Sequence, residues 1–329
     1  MIIGLDLGMG ACKVYGPAGG IQLPSHVSVA DGRIVGQLAG MKAATPPIRI
    51  AVDGRAFYVG ETAHDWGRPI ESIDYERLNG APEMRAIVYA ALMRYQQAAR
   101  VVIDEPLVLW VGMPLEPLTG EPAAVRATVA AVRAWLKGRH EFTVSDETVS
   151  NMAVVIDVAD VKITSQPTGA LFDYLLDDDG RFIAERKGHL REEVGIISVG
   201  FNTVELLVVQ NNAPVNRFTA GTTAGVRRLL ELSNGDGYYS LGEMDGRLRS
   251  GALDIRATLP IWGREVSGAI EHTWGRSWRR FARVIVVGGG AIILNGQLAF
   301  AGKAAVPDDP VLAIARGLYK MATMQEARK

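Results

Sequence analysis

The chain has 329 residues, with 35 basic and 36 acidic side chains for a formal net charge of −1, and 48% of its residues are hydrophobic. Disorder needs low hydrophobicity with high net charge, and collagen-like or low-complexity chains need far more than 37 Gly and 15 Pro, so these classes are excluded. The near-neutral balance argues against direct, sequence-specific gripping of nucleic acid through a basic surface, and at roughly 100–200 residues per domain the length predicts two lobes.

A single cysteine, Cys12, rules out an internal disulfide framework and a Cys-based zinc cluster and suits a reducing compartment. Five scattered His add no metal spacing. The longest apolar run, Val284 to Leu294, falls short of the ~18 residues of a membrane helix, and the chain opens without a basic n-region. The expectation is a cytoplasmic protein with no membrane partner.

Met1 to Gly8 and Lys13 to Tyr15 read as two strands around a tight Gly-rich turn. Arg49 to Val52 and Ala56 to Val59 form a second hairpin, with Asp53-Gly54 supplying the positive φ of a tight turn. Helical spacing follows at Met84, Ile87, Val88, Ala91, Leu92 and Tyr95, and again at Val125, Val129, Val132 and Leu136, with a buried strand from Pro106 to Val111 between them. Asn151 to Thr164 reads as a strand or a hairpin, and Gln166-Pro167-Thr168-Gly169 opens a helix with Pro in its first turn. The polar stretch Asp177 to Arg191 is either the crossing between lobes or a solvated loop, which puts a boundary near residue 190.

Val194 to Val199 and Val204 to Val209 then repeat the opening arrangement around Gly200-Phe201-Asn202-Thr203. Laying Gly8 on Gly200 places Asp6 on Ser198, Gly10 on Asn202 and Lys13 on Glu205. Trp274 to Arg283 interleaves arginines with Trp274, Trp278 and Phe281. That pattern suits nucleic acid, an anionic partner or a neighbouring subunit, or a helix that buries its aromatics and leaves its arginines wet. Val284 to Val287 runs as a buried strand into Gly288-Gly289-Gly290, and Asp309-Pro310 caps a helix carrying Val311, Ile314, Leu318 and Met321 on one face. Glycine at a bend lets backbone N–H groups converge on an anion. Two such turns in equivalent halves, with a strand ending in three Gly, point to two lobes gripping the phosphates of one nucleotide.

The motifs Ile3 to Lys13, Ile197 to Glu205 and Val286 to Ala291 resemble the first phosphate, second phosphate and adenosine motifs of the actin-like ATPases. Leu23-Pro24-Ser25, Val59 to Ala63, Val111 to Pro114 and Gly221 to Gly225 are similar to segments of the plasmid-partition (ParM-type) and archaeal branch. The resemblance implies an α/β, actin-like (ribonuclease H-like, duplicated) fold with a nucleotide cleft between two lobes. Residues 1–190 would form the first lobe, with a C-terminal helix, 310–329, packed back on it, and residues 191–309 the second.

By the same resemblance ATP, or GTP, would lie on Gly8, Met9, Gly10, Lys13, Ser198, Gly200, Phe201, Asn202, Thr203, Gly288, Gly289 and Gly290. Asp6 would hold Mg²⁺ through water and Gln166 would orient the attacking water. Read from the residues alone, Asp6 could instead cap a turn, Lys13 could be an exposed strand lysine, Gln166 a solvent-facing helix start, and the three Gly a flexible loop. Cys12 reads as a small filler. The chain departs from its family at Ser198, where the second phosphate motif usually begins with Asp. Glu205 stands for a later Asp and either compensates in part or is an ordinary strand carboxylate. The implied activity is a nucleotide-dependent filament, possessing or lacking ATPase turnover, that moves plasmid DNA through an adaptor or serves as a cytoskeleton. The alternatives are a non-polymerising, hydrolysis-impaired scaffold and a small-molecule kinase of the same superfamily.

Overall fold

The computed structural model describes residues 1–31, 45–71, 75–298 and 300–327. Among these, two sheets account for the strands. The first contains β1 (Ile2–Leu7), β2 (Ala11–Gly16), β3 (Gly19–Pro24), β4 (Val27–Val29), β5 (Ile48–Val52), β6 (Arg55–Val59), β7 (Arg68–Pro69), β8 (Leu107–Met113), β9 (Gly138–Ser145) and β10 (Met152–Ser165), in the order β3-β2-β1-β8-β10-β9-β5-β6-β4-β7. The second contains β11 (Val194–Val199), β12 (Val204–Gln210), β13 (Ala213–Pro214), β14 (Ala220–Thr222), β15 (Arg283–Val287) and β16 (Ala304–Ala305). Its order is β13-β12-β11-β15-β16, with β14 beside β12. The helices are α1 (Ala63–Trp66), α2 (Pro82–Ala99), α3 (Pro122–Leu136), α4 (Gln166–Leu175), α5 (Ala184–Lys187), α6 (Val226–Ser233), α7 (Leu241–Arg249), α8 (Leu259–Trp274), α9 (Gly289–Leu294) and α10 (Ala313–Glu326). None of them is long and apolar enough to cross a membrane.

Side-chain alternation along the strands sorts the core into layers. Ile3, Leu5 and Leu7 of β1 face Ile87, Leu92 and Tyr95 of α2. On the second sheet, Ile197 and Val199 face Leu229 of α6 and Trp262 and Val266 of α8, while the alternate residues Val194 and Ile196 face Leu171 and Leu175 of α4 and Ile314 and Leu318 of α10. Helices α4 and α10 are therefore a middle layer between the sheets, and each sheet carries further helices on its outer face. The backbone of α10 runs so close to β1 that a Cβ on Gly4 would sit 2.1 Å from the Ala315 carbonyl oxygen.

The Asp53-Gly54 turn forms as its chemistry predicts, with φ of 52° and 73°. Elsewhere the structure selects among the alternatives of the sequence reading or corrects it. Residues 152–165 form one continuous strand, because β9, which went unforeseen, supplies the antiparallel partner. Its residues do alternate, Arg139 and Glu141 outward and Phe142 and Val144 inward, but only these two buried apolar residues mark the period. Asp177 to Arg191 is structured, with a Leu176–Phe182 bridge and short helical turns, and it carries the chain from α4 into β11. The Trp274 to Arg283 segment is not one helix: α8 stops at Gly275, whose φ of 50° breaks it, and a 3₁₀ turn follows. Asp309 accepts the N–H groups of Val311 and Leu312, so α10 begins at Ala313 and Val311 lies in the capping turn. Residues 328–329 of the expected C-terminal helix fall outside the described residues.

Candidate functional site

The two hairpins match residue for residue: Asp6 pairs with Lys13 across β1 and β2, and Ser198 pairs with Glu205 across β11 and β12. Alternation sends the apolar neighbours of Asp6 to the outer core, which leaves its carboxylate on the inner face, toward the start of α4. There its Oδ1 accepts a 2.7 Å hydrogen bond from Gln166 Nε2, and its Oδ2 lies 3.1 Å from Lys13 Nζ. Asp6 is thus no turn cap. Lys13 is only 16% exposed, and Gln166 is buried rather than solvent-facing.

Both turns open into one cleft of about 360 Å³. Asp6, Gly8, Met9, Gly10, Lys13, Gln166, Ser198, Gly200, Phe201, Asn202, Thr203, Gly288 and Gly289 all line it. Neither Gly8 nor Gly10 has positive φ; close approach is what excludes a side chain there. A Cβ on Gly8 would come within 2.8 Å of Lys13 Nζ, and one on Gly10 within 2.4 Å of Phe201 Cβ, across the cleft. Ser25, from the Leu23-Pro24-Ser25 segment, braces the first turn by donating its hydroxyl to the Gly8 carbonyl at 2.8 Å. In the second turn the carbonyls of Gly200, Phe201 and Asn202 accept N–H groups from Val226, Arg227 and Gly225. Occupied carbonyls leave such a turn electropositive, the condition for holding an anion.

The three glycines are not a flexible loop. Gly288, at φ 91°, caps the N-terminus of α9, with Gly289 as the first helical residue. Gly290 does not line the cleft: a Cβ there would meet Val199 Cγ1 at 2.2 Å, so its role is packing against β11. Cys12 is buried, and burial pushes its thiol up to about 12, which fits an inert filler.

Several cleft residues gave no sequence signal. Tyr75 arrives from a 3₁₀ turn, and Asp245 and Arg249 from α7. Asp245 Oδ2 sits 3.0 Å from His26 Nε2 and accepts from Arg249 Nε at 2.7 Å, which joins α7 to the chain entering β4. Burial pushes the Asp245 carboxyl up, but hydrogen bonds from His26 and Arg249 outweigh it and hold the group below its usual range.

Glu205 is no ordinary strand carboxylate. It is 1% exposed, its Oε1 accepts the Leu115 N–H at 2.7 Å, and its Oε2 has no hydrogen-bond partner. Burial pushes its pKa up to about 8, aided by the nearby charges of Asp6 and Glu116. The folded state therefore keeps a proton that the unfolded chain releases above 4.5, so this group lowers stability as pH rises from 4.5 to about 8. Glu205→Gln keeps an acceptor for Leu115 and cannot ionise. It is expected to flatten that slope and to be more stable than the parent at about pH 8 by on the order of a few kcal/mol. Denaturant titrations at acidic and alkaline pH read this directly, and parallel pH dependences in the two proteins would refute it.

A family model described as "Actin like proteins N terminal domain" matches residues 4–169, just over half of the chain. Solved structures similar to the whole chain include an archaeal actin homologue, Ta0583, in complex with ADP (19% identity, 98% of this chain and 99% of that one, TM-score 0.70). The actin-like protein Alp7A is similar at 16% identity (100% and 98%, TM-score 0.72). A 15-stranded ParM filament from Clostridium botulinum is similar at 17% (98% and 99%, TM-score 0.70). No curated protein sequence matches.

Proposed function

The chain belongs to the actin-like proteins, and from that premise we propose that it binds a Mg²⁺-nucleoside triphosphate, ATP or GTP, between its two sheets and assembles with copies of itself into filaments. The observation that carries this reading is the shared cleft: two matching glycine turns, 192 residues apart in register, meet there with Asp6, Lys13, Gln166 and the N-terminus of α9. The lobes that close on the ligand are residues 1–190 with α10, and residues 191–309. The ADP complex of the archaeal homologue and the ParM filament support the two halves of the proposal.

The residues present fit magnesium. Among the described residues no three His, Cys, Asp or Glu gather as a metal cluster, and Mg²⁺ binds through one or two carboxylates, waters and phosphate oxygens. Asp6 would hold it through water; when bound, the ion neutralises charge on the phosphates. Lys13 places a point charge beside the phosphate tail, and the N–H groups of residues 9–10 and 201–203 cradle it, those of Gly8 and Gly200 being spent on the Asp6 and Thr203 carbonyls within the turns. Gln166, already donating to Asp6, orients a water with its amide. A triphosphate that touches both turns binds the closed arrangement more tightly than the open one, and this difference couples the ligand to assembly. Movement of DNA through an adaptor, or a cytoskeletal role, is the task that a filament of this family would serve.

Light scattering with simultaneous phosphate release, using ATP, GTP and a non-hydrolysable analogue, tests the proposal; a protein that neither binds nor scatters with any of them would overturn it. Ser198 favours a second reading, a hydrolysis-impaired scaffold, since a hydroxyl keeps a hydrogen bond but no charge. Ser198→Asp is expected to accelerate phosphate release severalfold. An equal or slower rate would show that serine does not limit the chemistry.

A further inference from the structure

The two lobes also meet away from the phosphate turns. In the first lobe Ser28 Oγ donates to the Ala63 carbonyl at 2.6 Å and Thr62 takes a φ of 61°, which holds the short helix α1 against β4 and brings His64 to the second lobe. There it meets the first turn of α7. A Cβ on Gly242 would sit 2.2 Å from His64 Nδ1 and 2.5 Å from its Cε1, so the imidazole fills the space that a side chain at Gly242 would need. The His26 ring lies 5.3 Å from that of His64, and its Nε2 is 3.0 Å from Asp245 of the same helix. Asp245 and its partner Arg249 line the cleft, and Arg249 also lines a second cavity, of about 440 Å³, together with both histidines. The two histidines therefore join the lobes at the rim of the cleft.

His64 sits where its neutral form is favoured. Both of its ring nitrogens are shielded from solvent and have no hydrogen-bond partner among the described residues. The N-terminus of α7, the positive end of its dipole, lies beside the ring and disfavours an imidazolium there. Charged groups face the ring from three elements. His26, ahead of β4, adds a like charge when both rings are protonated; Glu61 and Asp65 flank His64 in its own segment; Glu243 and Arg249 approach from α7, with Asp245 behind His26. The Glu243 carboxylate is committed elsewhere, since it accepts the Ser240 N–H at 2.7 Å in the capping box of α7. Burial, reinforced by His26, outweighs the pull of Asp65 and Glu243 and holds His64 below its ordinary value of 6.5.

We propose that the contact of His64 with Gly242 is a proton-sensitive latch: the lobes close on the neutral imidazole, and a proton on the ring parts them. Once they part, the ring reaches water and recovers its ordinary affinity for a proton, so the open form binds a proton that the closed form excludes. Closure is therefore complete above 6.5 and weakens as pH falls below it, by up to about tenfold at pH 5.5. His26 acts in the opposite sense, because a proton on it strengthens its contact with Asp245. Opening on acidification thus marks His64, and not His26, as the sensor. The proposal rests on the reading that the lobes close on a nucleotide, and it adds a control that the phosphate turns do not supply: acid releases the ligand without hydrolysis.

The test uses the full chain. Because Cys12 is buried, dyes on Arg68→Cys and Ala252→Cys, an exposed position in each lobe, label selectively, and energy transfer between them reads the ratio of open to closed molecules without any ligand. From about pH 7.5 to 5.5 that ratio is expected to rise severalfold in the otherwise unchanged chain, to at most about tenfold, and by less than about twofold in His64→Gln, which takes no proton. Gly242→Ala should open the lobes at both pH values, and the His64→Ala/Gly242→Ala double variant, which makes room for the methyl group, should close them again. Release of a fluorescent ATP analogue should quicken in step with opening. A ratio that does not change with pH, an equal pH response in His64→Gln, or a Gly242→Ala protein as closed as the parent would overturn the latch. If the latch passes and no analogue binds, the nucleotide reading falls alone. If the analogue binds and its release responds equally to pH in the parent and in His64→Gln, the latch falls and the nucleotide reading stands.

Discussion

Asp6→Ala is expected to lower nucleotide-dependent phosphate release and assembly by at least about a hundredfold. The carboxylate is almost wholly buried, and both of its oxygens are engaged, one by Gln166 at 2.7 Å and the other by Lys13 at 3.1 Å. Burying a charge in this way is costly unless it is paired. Alanine removes the proposed magnesium-organising group and at the same time leaves Lys13 and the Gln166 amide without their partner. Some loss of stability should accompany the loss of function, and Asp6→Asn separates the two effects. Asparagine keeps an oxygen for Gln166 but no charge, so it should retain most of the parent stability while losing nearly as much activity as alanine. Thermal denaturation and phosphate release on the same samples decide the matter; unchanged ATP-dependent sedimentation of Asp6→Ala would refute the assigned role.

Gly317→Ala should destabilise the fold by about 3 kcal/mol or more, although in an ordinary helix interior the same change stabilises by up to ~1 kcal/mol. A Cβ at Gly317 would sit 1.8 Å from the Gly169 carbonyl oxygen and 2.7 Å from the Asp173 backbone nitrogen. Both obstacles are backbone, so no rotamer change relieves them and α10 must move off α4. That movement would also pull apart a buried ionic cluster, in which Arg316 donates two 2.7 Å hydrogen bonds to Asp173 and Lys320 lies 3.1 Å from the same carboxylate. Because α4 begins at Gln166 and Val311 and Ile314 near the start of α10 line the cleft, ligand binding should weaken together with stability. Chemical denaturation tests this, and a variant as stable as the parent would refute the close crossing.

Much of the candidate site was legible in the chain because its chemistry is local. A glycine turn between two apolar strands can be read from ten residues, and its repetition with Ser198 and Glu205 in the places of Asp6 and Lys13 can be read by laying one half on the other. The helix start at Gln166 was legible from Pro167, a short-range signal, while the place of its side chain in the site came from the family resemblance. Gly290 misled, because a run of glycines does not say which of them meets a ligand and which meets Val199. Strand β9 escaped although Glu141 to Ser145 alternates polar and apolar, because two buried apolar residues, Phe142 and Val144, are a short signal beside the helix that precedes them.

What the sequence determined by itself was therefore the pair of turns, the residues at their bends and the family they belong to, since backbone geometry at a turn depends on its own few residues. Only the tertiary structure decided that Glu205 accepts from Leu115, 90 residues away, that His26 meets Asp245 across 219, and that Gly317 crosses Gly169 with no room for a methyl group. Those outcomes depend on how two sheets and the helices between them come to lie together, and no local pattern of charge or hydrophobicity encodes which distant backbone will occupy the space beside a given side chain.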